Sequence, residues 1–132
     1  MYSASGTKAY AKVGVESAVM SASNDQLITL LFDGAISSLV RARLFLLEGN
    51  IVKKGESLSK AINIIDNGLK LGLEETSEDD LTRNLASLYR YMVHRLIRAN
   101  IDNDADGIEE VEKLLRNIAD AWKEVSGTTA LV

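Results

Sequence analysis

Cysteine and proline are both absent from the 132 residues. Without cysteine there is no disulfide and no thiolate metal ligand, and no oxidising compartment is implied. Without proline, long uninterrupted helices are favoured. Aromatic residues make up only 5% of the chain, and there is a single histidine. No apolar run exceeds four residues, as in Leu44-Phe45-Leu46-Leu47. That excludes a membrane span, and the N-terminus lacks the apolar stretch of a signal peptide. Positive charge is in deficit, with 15 Lys and Arg against 19 Asp and Glu, a net charge of −4 and a pI near 5.0. Affinity for nucleic acid rests on basic surface, so phosphate binding is not the main task. The length suits one domain that buries roughly two-thirds of its unfolded surface. The expectation is a soluble cytoplasmic protein.

What the chain does have is helical periodicity from Ser23 onward. Ser23 with Gln26 three residues later makes a capping-box start, and the first helix should run to about Glu48, before Gly49-Asn50. A second apolar pattern covers about Ile51 to Leu73. The polar stretch "EETSEDD" follows, with Thr76 or Ser77 as N-cap of a third helix that reaches about Asn100. "DNDADG" marks the next turn, and a fourth helix should end near Ser126 with Gly127 just beyond it. The predicted fold is all-α, an antiparallel up-down-up-down four-helix bundle over 23–127. Residues 1–22, rich in small side chains with Tyr2 and Tyr10 among them, read as an N-terminal arm, and 128–132 as a flexible tail.

Placing residues at 100° intervals shows what each helix faces. In the fourth helix Ile108, Val111, Leu115, Ile118, Trp122 and Val125 form one stripe. The first helix has a full core stripe, Ile28, Phe32, Ala35, Leu39, Ala42 and Leu46, and then another: Ile36, Val40, Leu44 and Leu47. The second helix repeats this, with Leu58, Ile62, Ile65 and Leu69 on one stripe and Ala61, Ile64, Gly68 and Leu71 on a second. One core needs one stripe per helix. The surplus is either a generous core width or a surface covered by the arm, a second copy of the chain, or a partner's helix. Gly34, Gly68 and Gly72 inside helices suit close approach of another backbone, at about 1 kcal/mol each relative to alanine.

Chemistry finds little purchase. A di-metal carboxylate centre needs inward Glu-x-x-His pairs, which the sequence lacks, so neither metal nor cofactor is expected. His94 faces away from Leu81, Leu85, Leu88, Met92 and Leu96, with Arg90 and Arg98 four residues to either side. That is the dress of a histidine phosphotransfer bundle, but isoleucine and arginine follow where such sites carry lysine and glycine. The plainer reading is that Arg83, Arg90, His94 and Arg98 form a solvated basic face. Tyr89 belongs beside the core, and Tyr91 at its edge is free to bond a neighbour. Phosphate-cradling loops and nucleophile motifs are missing, so no enzyme is expected.

The stretch "NLASLYRYMVHRLIRANIDND" resembles the third-helix signature of the flagellar secretion chaperone FliS family, through Asn84-Leu85, Leu88-Tyr89, Tyr91-Met92, Arg95-Leu96, Ala99-Asn100 and Asn103-Asp104. "YAKVGVES" is similar to the family's N-terminal segment, and "LITLLFDGA" to its first-helix motif. "KAINIIDNGLKLGL" and "EVEKLLRNIADAW" resemble its second and fourth helices. Five motifs in order make the likeness specific, and it is nearest to enterobacterial members. Two positions depart from it: Asn24-Asp25 replace a proline-histidine pair, and Arg90 replaces an acidic residue between the two tyrosines.

The resemblance implies a cytoplasmic export chaperone. It would bind the disordered C-terminal segment of flagellin, prevent premature polymerisation and assist delivery to the type III export apparatus. Apparatus components and flagellar regulators would be further partners, and the chain itself a monomer or weak homodimer. On this reading Ile36, Val40, Leu44, Leu47, Ile64 and Leu71 supply cargo-docking surface. Tyr10 anchors an arm that shares that surface with the cargo. The competing readings are a phosphorelay carrier using His94 and a structural homodimer built on the extra stripes.

Overall fold

The computed structural model describes residues 23–74 and 79–127; the expected arm with Tyr10 and the tail lie outside these. Four helical rods make up the described chain. α1 spans Asn24–Leu47. α2 spans Ile51–Asn63 and continues without a break through a π-helical segment, Ile64–Lys70, into a last α turn, Leu71–Glu74. α3 spans Asp80–Asp102 and α4 Ala105–Ser126.

The rod ends follow from local chemistry. The Ser23 hydroxyl accepts from the Gln26 N–H at 3.2 Å while the Gln26 side chain accepts from the Ser23 N–H at 2.8 Å, closing the expected capping box. Gly49 takes φ +76°, which turns the chain sharply after α1. Asn50 then caps α2 through Lys53 N–H. The cap of α3 is Asp79, whose carboxylate accepts from Thr82 N–H at 2.7 Å, not the expected Thr76 or Ser77. A carboxylate at the N-cap answers both the unpaired N–H and the helix dipole. Asn103 at φ 52° and Asp104 as the next N-cap together make the α3–α4 turn. Gly127 ends α4 at φ +72°, where it was expected.

Each rod packs on its sequence neighbours, and α1 also packs on α4, closing a four-sided bundle. Cross-links fix the antiparallel sense. The Trp122 indole N–H donates to Thr29 Oγ1 at 3.2 Å and Lys123 pairs with Asp33 at 3.1 Å, whereas Arg43 meets Glu112 at 3.3 Å. Phe32, Leu39, Leu58, Ile65, Met92, Leu96, Ile108 and Leu115 form the sealed centre. Every leucine-sized side chain so buried contributes about 1.5–3 kcal/mol.

Three expectations about facing need correction. Ala61 is fully buried in the core and does not belong to an outer stripe. Val125 is 85% exposed, because α4 has reached the open end of the bundle by then. Leu81 is 68% exposed while Thr82, Ala86 and Tyr89 are buried, so the inner face of α3 is turned from the one drawn through the leucines. Thr82 and Ala86 take inward positions on α3, small residues that a wheel weighted toward large side chains passes over.

Candidate functional site

The surplus apolar residues of α1 are only partly absorbed by the core, against which Ile36 packs. Ile36 and Val40 line a lateral groove of about 420 Å³ between α1 and α4. Ser37 and Ala119 complete its less polar lining. Asp33 and Arg41 of α1 face Arg116, Asp120 and Lys123 of α4 around it. Leu44 and Leu47 continue this side of α1 toward the turn, exposed by 49% and 70%. Five of the nine lining side chains are charged, so the groove offers limited apolar surface among charges of both signs, and Leu44 and Leu47 extend the apolar part beyond it.

Ile64 and Leu71 are not part of that groove. Gly34 stands two residues before Ile36, hence on the far flank of α1, and Ile64 Cδ1 lies 3.4 Å from where a Cβ on Gly34 would be. Ile64 is half-buried there, packed against the core, and Leu71 is exposed. Of the six candidate residues, the structure thus brings four together along α1 and leaves two on the second rod, across its other flank.

Two buried charged groups, one beside the groove and one across the bundle, were missed by periodicity. Glu112 is buried and accepts from Arg43 at 3.3 Å and from Arg116 Nε at 3.1 Å, anchoring the arginine that edges the groove. It stands on the α4 core face, four residues after Ile108 and three before Leu115. Lys54, four residues before Leu58, is buried as well, its ammonium donating to Asn100 O at 2.9 Å and Asn100 Oδ1 at 2.6 Å. The signal available in the sequence was a charge on an apolar stripe; without a partner in view it had no reading.

The two tyrosines of α3 and His94 stand as expected. Tyr89 is buried, and desolvation pushes its phenol up to about 12, so it stays neutral. Tyr91 is half-exposed and donates to Glu110. Arg95 joins the same cluster, bonding Glu110 through Nε and Asp104 through Nη2, both at 3.0 Å. The bond from Tyr91, then that from Arg95, holds the Glu110 carboxyl below its usual range; Arg95 and the Gly107 N–H do the same for Asp104. This cluster ties the α3–α4 corner together. His94 is exposed; on the same basic face Arg83 pairs with Asp80 and Arg98 with Asp102. Among the described residues no group of three or more histidine and acidic side chains could hold a metal ion, and no helix is long and apolar enough to cross a membrane.

An antiparallel helical bundle with a lateral groove of mixed apolar and charged lining is the class that fold and site define. Comparison with known proteins narrows it. The sequence profile of the family described as "Flagellar protein FliS" matches residues 6–129. The flagellar secretion chaperone FliS of Salmonella typhimurium LT2 is 66% identical over 126 residues, 96% of this chain and 93% of that protein. The one from Escherichia coli K12 is 64% identical over 124 residues, 94% and 91% of the two chains. That of Vibrio cholerae is 36% identical over 118 residues, 89% and 86%. The chain belongs to the FliS family of flagellar secretion chaperones.

Proposed function

We propose that the protein is a cytoplasmic chaperone for flagellin that holds its C-terminal segment before export, blocks premature polymerisation and hands it to the flagellar type III apparatus. The observation that carries this reading is the apolar run along α1, from the partly buried Ile36 and Val40 at the groove to the exposed Leu44 and Leu47 beyond it. A segment that folds on binding must offset its own ordering entropy, so it needs a long apolar track more than a few polar contacts. Ile64 and Leu71 extend the docking area on the second rod, and Tyr10 of the arm competes for part of it. Function here is non-enzymatic and needs no cofactor.

The test is binding of the flagellin C-terminal segment by titration calorimetry, comparing the wild type with Val40→Ser/Leu44→Ser. Leu44 is half-exposed and Val40 only partly buried, so the variant should stay helical while its affinity drops at least ten-fold, about 1.4 kcal/mol. A folded variant that binds as the wild type does would remove α1 from the cargo site.

A further inference from the structure

The charges around the α1–α4 groove are sorted along its length. Two cross-links set the register of the rods: Lys123 meets Asp33 at 3.1 Å, and Arg43 meets Glu112 at 3.3 Å. Interpolating between them at about 1.5 Å per residue brings Asp120 level with about residue 36 of α1, and Arg116 with about residue 39. Arg41 then stands about 8 Å farther along the bundle axis than Asp120. One end of the groove holds Asp33, Asp120 and Lys123, two acids against one base. The other holds Arg41 and Arg116, with Arg43 beside them, three bases against the single carboxylate of Glu112. Beyond that end Lys113 and Glu109 cancel each other as a pair.

Most of these charges are answered within the chain. Arg116 and Lys123 stand four residues before and three after Asp120, near enough on one helix to pair with it. Both turn elsewhere, Arg116 to Glu112 at 3.1 Å and Lys123 to Asp33 at 3.1 Å. Among the described residues Asp120 has no ion pair, and Arg41 donates to the Ser38 hydroxyl at 3.3 Å and has no carboxylate. Both side chains are exposed, so water answers them in the free protein. A segment that covers the groove displaces that water and has to bring opposite charges, or leave the two unpaired. Apolar contact with Ile36 and Val40 serves a chain running either way. A charged segment laid backwards instead sets acid on Asp120 and base on Arg41, which like-charge repulsion penalises.

We infer that Arg41 and Asp120 fix the direction of the segment docked along α1: its basic side chain meets Asp120 and its acidic one meets Arg41. The separation of about 8 Å is about five residues of helix, so the two cargo charges belong about four or seven positions apart on one face. This deepens the cargo reading above and rests on it, with the flagellin segment as the occupant.

The chain has no cysteine, so a nitroxide can be carried by one introduced thiol in the full-length protein. Glu48→Cys places it just past the end of α1 and Glu124→Cys near the end of α4, two exposed positions at opposite ends of the groove. The probes are two isotope-labelled helical peptides with one composition and one apolar stripe. Lysine stands about seven residues before glutamate in the first and after it in the second, a spacing at which the two do not pair with each other. Paramagnetic broadening should be strongest at the glutamate end with the label at 48 and at the lysine end with the label at 124. The two peptides then lie in opposite directions. Arg41→Glu/Asp120→Lys should turn each peptide round. Arg41→Gln/Asp120→Asn should leave both bound without preferred direction, weaker by about two- to five-fold for each charge removed. Peptides that lie one way whatever their order of charges, that keep their direction in these variants, or that never broaden from either label overturn the inference. The flagellin C-terminal segment is then added to the same labelled proteins. If it fails to bind, or binds without broadening from either label, the cargo reading of the groove falls alone, because the peptides have already judged the two charges.

Discussion

Replacing Lys54 by methionine isolates one buried polar tie and puts a number on it. Lys54 is only 2% exposed, and its ammonium bonds both the main-chain and the side-chain oxygen of Asn100, at 2.9 and 2.6 Å. Methionine keeps most of the apolar stem and removes both bonds. A hydrogen bond to a charged group contributes about 1.5–3 kcal/mol net. Two such bonds would suggest roughly 3–6 kcal/mol, but removing the ammonium also removes its desolvation cost of several kcal/mol. The expected net loss is therefore about 2 kcal/mol, or roughly 6–10 °C in Tm for a domain of this size. Urea unfolding followed by helical circular dichroism measures it. Adding Asn100→Leu removes the orphaned amide and should recover about half of the loss, since the main-chain oxygen stays unanswered. Lys54→Met within about 0.5 kcal/mol of wild type would show that the two bonds merely balance burial of the charge, and would refute this reasoning.

The α3–α4 corner offers a sign test: a methyl on Gly107 would lie 2.6 Å from Arg95 Nη1, so Gly107→Ala should destabilise the wild type but stabilise an Arg95→Ala background in the same urea assay. Asp104 and Glu110 have carboxyl pKa values lowered from 3.8 and 4.5, so their contribution is full above that range and is lost as pH falls through the lowered values. Acidifying from neutral should thus reduce the Tm of wild type more than that of Arg95→Met; equal drops would dismiss the cluster as a source of acid sensitivity. Leu44→Ser/Leu47→Ser removes side chains that are 49% and 70% exposed, so stability should change by under about 1 kcal/mol, while flagellin affinity falls; intact affinity would place the cargo elsewhere.

The bundle was legible because period and punctuation agree. Ser23-Gln26, Gly49 and Gly127 mark ends that depend on neighbouring residues alone, and the structure puts them where that local chemistry requires. The cap of α3 was misplaced because "EETSEDD" holds several eligible caps, and position along the core decides among them. The π segment left no local mark: its consequence, a core spacing of four from Ile65 to Leu73, looks like ordinary amphipathicity until the inward face is known. Ala61 precedes that segment and is buried while Leu71 follows it and is exposed, so one stripe does not hold both. The groove was half legible. Its apolar members showed as a second stripe on α1, but Arg116, Asp120 and Lys123 come from the other end of the chain, and their meeting with Ile36 is a product of packing.

Photocrosslinking tests most directly whether a foreign chain lies along α1. A photoreactive residue placed at position 40 or 44, and a control at Arg98, which is exposed on α3 away from the α1–α4 groove, would be irradiated with the flagellin C-terminal segment present. Adducts to the segment from positions 40 and 44 and none from 98 are expected. Adducts from 98 with none from the α1 positions would contradict the account.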